Sequence, residues 1–161
     1  MSKKPVKAIA VFEGKIKGFV KFTEDLSNSC IIIDIYLSGL KNNSTHGFHV
    51  HQAGDLTEKC ESMCAHFNPY DKNHGCPGMK DRHVGDLGNI HTDKKGCVDF
   101  KMEDNVIKLR GSIANIIGRG LIIHADEDDC GQGTNTASKI NGNSGKRIAC
   151  AIIGYAKDNF C

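Results

Sequence analysis

Val6-Lys7-Ala8-Ile9-Ala10-Val11-Phe12-Glu13-Gly14-Lys15-Ile16-Lys17-Gly18-Phe19-Val20-Lys21-Phe22 repeats with a period of two. Val6, Ala8, Ala10 and Phe12 share one side before Glu13-Gly14, and Ile16, Gly18, Val20 and Phe22 share one side after it. Successive side chains of a strand point to opposite faces, so this spacing predicts two strands joined by a tight turn rather than a helix. A third run, Cys30 to Leu37, puts Ile31, Ile33, Ile35 and Leu37 on a common face. Further strands are predicted at His46 to His51, Leu87 to His91, Cys97 to Met102, Gly120 to His124 and Arg147 to Tyr155, between segments rich in Gly, Asn and Asp. Helical periodicity is weak throughout. The pattern predicts an all-β fold, an eight-stranded antiparallel sandwich or barrel.

A chain of 161 residues suits one domain spanning 1–161, large enough to bury its own core. Net charge is +2 with both signs interspersed, which argues against nucleic acid or a membrane surface as partner. The start, Met1-Ser2-Lys3-Lys4-Pro5, lacks the apolar core of a signal peptide, and no stretch approaches a membrane span, so a cytoplasmic location is expected. Eight cysteines fit that compartment poorly, because reducing conditions disfavour disulfides, yet free cysteines are also common buried residues. Two segments, about 52–86 and 125–146, lack strand character. Loops of that length in a compact domain are usually functional or disordered.

The histidines decide which. Of eight, six fall with one aspartate in a spacing that suits two adjoining metal ions: His49, His51, His66, His74, His83, Asp86 and His124. Scattered histidines would be ordinary loop residues. Here His49-Val50-His51 alternates along a predicted strand, pointing both rings to one side, and His66, His74, His83 and Asp86 follow in the first long loop. His66, His74, His83 and Asp86 make a closed set of three nitrogens and one oxygen, suited to tetrahedral zinc. His49, His51, His124 and the other nitrogen of His66 make an all-imidazole set, suited to tetragonal copper. His66 would bridge the two.

Four strings in order along the chain, His46-Gly47-Phe48-His49-Val50-His51, His66-Phe67-Asn68-Pro69, His83-Val84-Gly85-Asp86-Leu87-Gly88-Asn89 and Gly142-Asn143-Ser144-Gly145-Lys146-Arg147-Ile148-Ala149-Cys150, closely resemble the copper/zinc superoxide dismutase family. The resemblance implies a Greek-key barrel, one copper and one zinc per subunit, and superoxide as substrate. It implies that His66 releases copper and carries a proton during turnover, and that Arg147 docks the anion. It makes Asp128 a carboxylate linking His49 to His74, and it pairs Cys60 with Cys150, a crosslink that chain-entropy arguments value at roughly 4 to 5 kcal/mol. The first long loop becomes the metal and disulfide loop and the second the electrostatic loop. A homodimer through Gly54, Ile117, Gly118, Ala151 and Tyr155 is implied, and a copper chaperone is a candidate delivery partner.

Departures from the family are specific. Cys64 stands where glycine is common, and it is expected to be a free thiol with Cys30, Cys76, Cys97, Cys130 and Cys161. Thr136, Ala137 and Ile140 replace the usual two glutamates and a lysine, leaving Lys139 and Lys146 as steering charges. His46 is out of phase with His49 and His51 and is expected to play a hydrogen-bonding structural part, with His91 on the surface. Two rival readings remain: an inactive or chaperone-type metal-binding module of the same fold, and a zinc-finger-like site from Cys60, Cys64, His66 and His74.

Overall fold

Among the described residues, 4–161, the computed structural model arranges nine strands in two antiparallel sheets. The strands are β1 (Lys7–Phe12), β2 (Lys17–Asp25), β3 (Cys30–Ser38), β4 (Thr45–His51), β5 (Asp86–His91), β6 (Val98–Asp104), β7 (Gly120–His124), β8 (Arg147–Ile152) and β9 (Gly154–Tyr155). One sheet runs β6-β3-β2-β1-β9 and the other β5-β4-β7-β8. Because β6 returns beside β3 and β7 returns beside β4, the connections are of Greek-key type. No helix among the described residues is long and apolar enough to cross a membrane.

The predicted alternation sets the core. Ala8, Ala10 and Phe12 of β1, Val20 and Phe22 of β2, and Ile33, Ile35 and Leu37 of β3 are buried against Phe48 and Val50 of β4 and Leu121 and Ile123 of β7. The opposite face of the larger sheet meets solvent, where Val11, Phe19 and Tyr36 stand exposed. The smaller sheet differs. Every residue from His46 to His51 is buried, because the loops 52–86 and 125–146 cover the face of β4 that carries His49 and His51. A sheet with core on one side and covered polar residues on the other is where a site can be both rigid and dry.

Two expectations need revision. The strand predicted from Arg147 to Tyr155 is two: β8 pairs with β7, the chain bonds at Ile153 to the 118–119 turn, and β9 then pairs with β1 in the other sheet. Ile153 is fully buried at this crossover. The second long loop also contains a short helix, α1 (Thr136–Asn141), started by the Asn135 side chain accepting from Ser138 N and ended by Gly142 at φ +68°. Six residues are too few to show a helical period in sequence.

Phe22→Ala should lower the unfolding free energy of the metal-free protein by about 3–5 kcal/mol in urea titrations. Val11→Ser, on the half-exposed outer face, should change it by no more than about 0.5 kcal/mol. Similar losses for the two variants would contradict the assignment of faces.

Candidate metal centre

The first long loop crosses back over β4 by backbone bonds. Phe67 N donates to Val50 O (2.9 Å), Val50 N to Gly85 O (2.8 Å) and Gly85 N to Phe67 O (2.9 Å). A Cβ at residue 85 would stand 2.1 Å from Val50 O, so only glycine lets the strands approach this closely. The crossing carries His66 and His83 above His49 and His51, with Asp86 opening β5. The pairing of β4 with β5 shifts register between Gly47 and His49, and that of β7 with β8 between Ile123 and His124. Such bulges re-aim side chains, and here they fall beside the first and last histidines of the set.

Hydrogen bonds to outer partners fix which ring nitrogen of each histidine carries a proton. His49 Nε2 donates to Asp128 Oδ2 (2.7 Å), His51 Nδ1 to Cys64 O (2.9 Å) and His124 Nδ1 to Gly145 O (3.2 Å). A neutral imidazole has one donor and one acceptor, so each remaining nitrogen is a lone pair. Those lone pairs face one another: His51 Nε2 and His124 Nε2 are 3.4 Å apart, and His49 Nδ1 and His66 Nε2 are buried with no hydrogen-bond partner. Buried acceptors left unsatisfied cost about 1–3 kcal/mol each, and a shared cation is the group that would satisfy all four together.

The second set is built alike. His74 Nε2 donates to Asp128 Oδ1 (2.7 Å), while its Nδ1 lies 3.0 Å from Asp86 Oδ1 without making a hydrogen bond. The same oxygen is 2.9 Å from His66 Nδ1 and 3.1 Å from His83 Nδ1, and those two nitrogens are 3.4 Å apart. Donors around a tetrahedral ion with arms of about 2.0 Å stand about 3.3 Å from one another. The donor atoms present therefore fit zinc in spacing as well as in kind. Asp86 Oδ2 is held by His83 N (2.8 Å) and Gly75 N (3.0 Å), so the carboxylate cannot turn away.

Electrostatics separate the sets. Burial holds His49 down to about 3 and His124 down to about 4, and pushes His51 and His66 down as well, so these rings are neutral at physiological pH. Burial also opposes charge on His74, but the carboxylates of Asp128 and Asp86 outweigh it and raise that ring to about 9. For Asp128 burial is again outweighed, here by hydrogen bonds from His49 and His74, which bring it to about 2; the same balance lowers Asp86. One set is neutral nitrogen throughout, whereas the other carries an anionic oxygen.

Among the described residues, the two groups His49, His51, His66, His124 and His66, His74, His83, Asp86 each bring their donor atoms within 4.8 Å of one another, with His66 in both. Asp128 joins His49 to His74. Arg147 lies opposite His124 in the β7–β8 pairing, and its guanidinium donates to Cys60 O (2.7 Å) and Cys64 O (2.6 Å). His46 bonds His124 O (2.8 Å) and Ser44 Oγ (2.8 Å), and His91 is exposed. Thr136, Ala137, Lys139 and Ile140 all lie on α1, and Lys139 Nζ donates to Gly131 O.

Cys60 and Cys150 are joined, tying the loop to β8 across a separation of 90 residues. With Cys60 in a disulfide it is no thiolate ligand, which removes the zinc-finger-like grouping of Cys60, Cys64, His66 and His74. The expectation that Cys76 and Cys130 are free thiols is overturned, because they form a second disulfide across 54 residues. Cys30, Cys64, Cys97 and Cys161 are free. The pairing had a sequence signal: Cys76 follows His74 by two residues and Cys130 follows Asp128 by two, and His74 meets Asp128. Without a reason to join those two loops, the offsets carry no weight. Ala151, named for the dimer contact, is buried in this chain's own core, and its neighbour Ile152 is the exposed one.

The fold and this constellation agree with known proteins. A family model described as Copper/zinc superoxide dismutase (SODC) matches residues 16–153. A Cu-Zn superoxide dismutase of Paramecium bursaria Chlorella virus 1 is 60% identical over 158 residues, covering 98% of this chain and 83% of that protein. An extracellular Cu-Zn superoxide dismutase of Drosophila melanogaster is 45% identical over 157 residues, covering 93% of this chain and 86% of its own length. The crystal structure of the clock protein EA4 superposes with a TM-score of 0.90 at 38% identity, covering 97% of this chain and 98% of that one. Matching motifs, matching fold and identity over nearly the full length lead to one conclusion: this chain belongs to the copper/zinc superoxide dismutase family.

Proposed function

We propose that the chain is a superoxide dismutase, converting two superoxide anions and two protons to dioxygen and hydrogen peroxide. The observation that carries this reading is the trio of buried imidazole nitrogens without hydrogen-bond partners, His49 Nδ1, His66 Nε2 and His74 Nδ1, within two donor sets that share His66. Copper held by His49, His51, His66 and His124 supplies, when bound, a one-electron couple reduced and reoxidised in turn, and zinc held by His66, His74, His83 and Asp86 supplies fixed positive charge.

The remaining steps belong to the chain. His66 turns Nδ1 to Asp86 (2.9 Å) and leaves Nε2 buried without a partner on the all-imidazole side; when not engaged by a metal, Nε2 would be a base inside the pocket, able to take a proton and hand it to an anion docked nearby. Arg147 supplies the docking charge. Its guanidinium is held by the carbonyls of Cys60 and Cys64, and the N–H groups left over can receive a small anion beside His124. Asp128 keeps His49 and His74 in the orientation that turns their acceptors inward. Lys139 and Lys146 are the charges available for steering, where the family's usual set is altered. An inactive or chaperone-type module is disfavoured by the complete donor set together with Arg147.

The unit is read as one domain, 1–161, with a metal and disulfide loop of about 52–86 and an electrostatic loop of about 125–146. A cytoplasmic location is the reading retained, and the two disulfides are the contrary observation, since reducing compartments disfavour them. A copper chaperone is kept as a delivery partner on family grounds alone. A homodimer through the face of Gly54, Ile117 and Gly118 is supported by the exposed Ile152 against Gly54, with Tyr155 exposed three residues further on; residue 54 has no room for a side chain, since a Cβ there would meet Gly118 O at 2.1 Å.

Purified protein should hold one copper and one zinc per chain, and superoxide decay should track the copper content through chelation and reloading; activity indifferent to copper contradicts the reading. Arg147→Ile should leave the content of both metals unchanged and slow turnover about tenfold or more, because docking charge is lost and no donor is touched. Full activity in that variant removes Arg147 from the mechanism. Sedimentation at micromolar concentration should give twice the chain mass, and a lone monomer boundary contradicts the dimer.

A further inference from the structure

The second disulfide has no part in the reading above, yet its position is specific. Cys76 lies two residues beyond His74, and Cys130 two residues beyond Asp128. Asp128 Oδ1 accepts from His74 Nε2 (2.7 Å) and from Cys130 N (2.8 Å), so one oxygen joins the histidine to the backbone of the second cysteine. A short ring results, closed at one end by the sulfurs and at the other by the carboxylate contact, with Gly75 on one side and Asp129 on the other. The sides of this ring differ in how they are anchored. Asp128 is fastened to β5, where Asn89 accepts from its backbone N (2.8 Å) and donates to its carbonyl (2.9 Å). His74 sits in the loop 68–82, which contains no strand or helix and whose residues 70–73 and 77–81 are exposed; beside the crosslink, its segment is tied down by His74 N donating to Lys139 O (2.9 Å) and Gly75 N to Asp86 Oδ2 (3.0 Å). The crosslink extends the anchorage of Asp128 across to the segment that carries His74. Gly142, at the end of α1, encloses the contact, since a Cβ there would meet Asp128 Oδ1 at 2.0 Å and His74 Nε2 at 2.5 Å.

From this placement we infer that the Cys76–Cys130 disulfide is a positioning crosslink for the zinc-side donors, keeping His74 against Asp128 and thereby slowing the loss of zinc. The role rests on the assignment of His66, His74, His83 and Asp86 to zinc. It does not extend equally to copper, because His49, His51 and His124 stand on β4 and β7, whose positions are set by sheet pairing. Outer groups that orient metal ligands change metal affinity by about 10- to 100-fold when removed, and the crosslink acts one step further out, on the pair it holds together.

The test compares the metal-loaded protein with its Cys76→Ser/Cys130→Ser variant. Zinc transfer to a chromophoric chelator should be about tenfold faster in the variant, while copper loss to a copper-selective chelator should change by no more than about twofold. Equal zinc release in the two proteins overturns the inference. Equal acceleration of both metals also overturns it, by showing a general loosening instead of a role at one site. A protein that takes up no zinc overturns the metal assignment and this role together, which separates the two failures. Should the variant not fold, graded reduction of the metal-loaded wild-type protein with a thiol reductant decides: zinc release should rise as the Cys76–Cys130 pair is reduced, followed by mass spectrometry of the two disulfides, and zinc release that does not follow reduction of that pair overturns the inference.

Discussion

A neutral imidazole carries a single N–H, and three rings of the site direct theirs outward: His49 to one oxygen of Asp128, His51 to Cys64 O and His124 to Gly145 O, while His74 gives its Nε2 N–H to the other oxygen of Asp128. Everything else about the centre follows from that constraint. The nitrogens left behind are acceptors, they are buried, and they converge with the two nitrogens of His66 on two neighbouring points. Facing lone pairs in a dry interior are an unfavourable arrangement for a bare protein and a favourable one for a pair of cations. The folded chain tolerates it because the stability comes from elsewhere, from the apolar face of the same strands.

Strand β4 shows how closely the two demands are coupled. Phe48 and Val50 enter the core, while His49 and His51, one residue out of step, enter the site. The side-chain period of a strand is two, so sliding its register by one residue would place imidazoles in the core and phenylalanine under the loops. The apolar partners of Phe48 and Val50 therefore fix the histidines as firmly as any contact within the site does. His66, His74, His83 and Asp86 have no such frame. Their positions depend on the backbone crossing at Gly85, on Asp128 and on two disulfides that join loop to strand and loop to loop.

Much of this was legible in the residues. The alternation from Val6 to Phe22 and the spacing of His49 and His51 are local, and the covalent chain alone sets which side chains share a face. The division of donors into a nitrogen-only set and a set containing Asp86 follows from ligand chemistry. Where reading failed, the deciding contact was distant in sequence. The run Arg147 to Tyr155 has one alternating pattern, but its halves pair with different sheets because β1 and β7 compete for it. Helix α1 is shorter than two turns, and its capping by Asn135 and Gly142 matters only where it closes over His74 and Asp128. Ala151 reads as a surface contact by resemblance, yet the strand turns it into the core.

Sequence alone, then, determined what kinds of atoms the chain could offer and on which side of each strand they would stand, since periodicity and donor type are properties of neighbouring residues. Which nitrogen of each ring is free was decided by the tertiary structure, because the partner occupying the other nitrogen comes from a loop many residues away: Cys64 for His51, Gly145 for His124, Asp128 for His49 and His74. The same holds for Cys76 and Cys130. Their sulfurs meet only because β5, through Asn89, and the crossing at Gly85 bring two irregular loops to one place, and no local pattern encodes that approach.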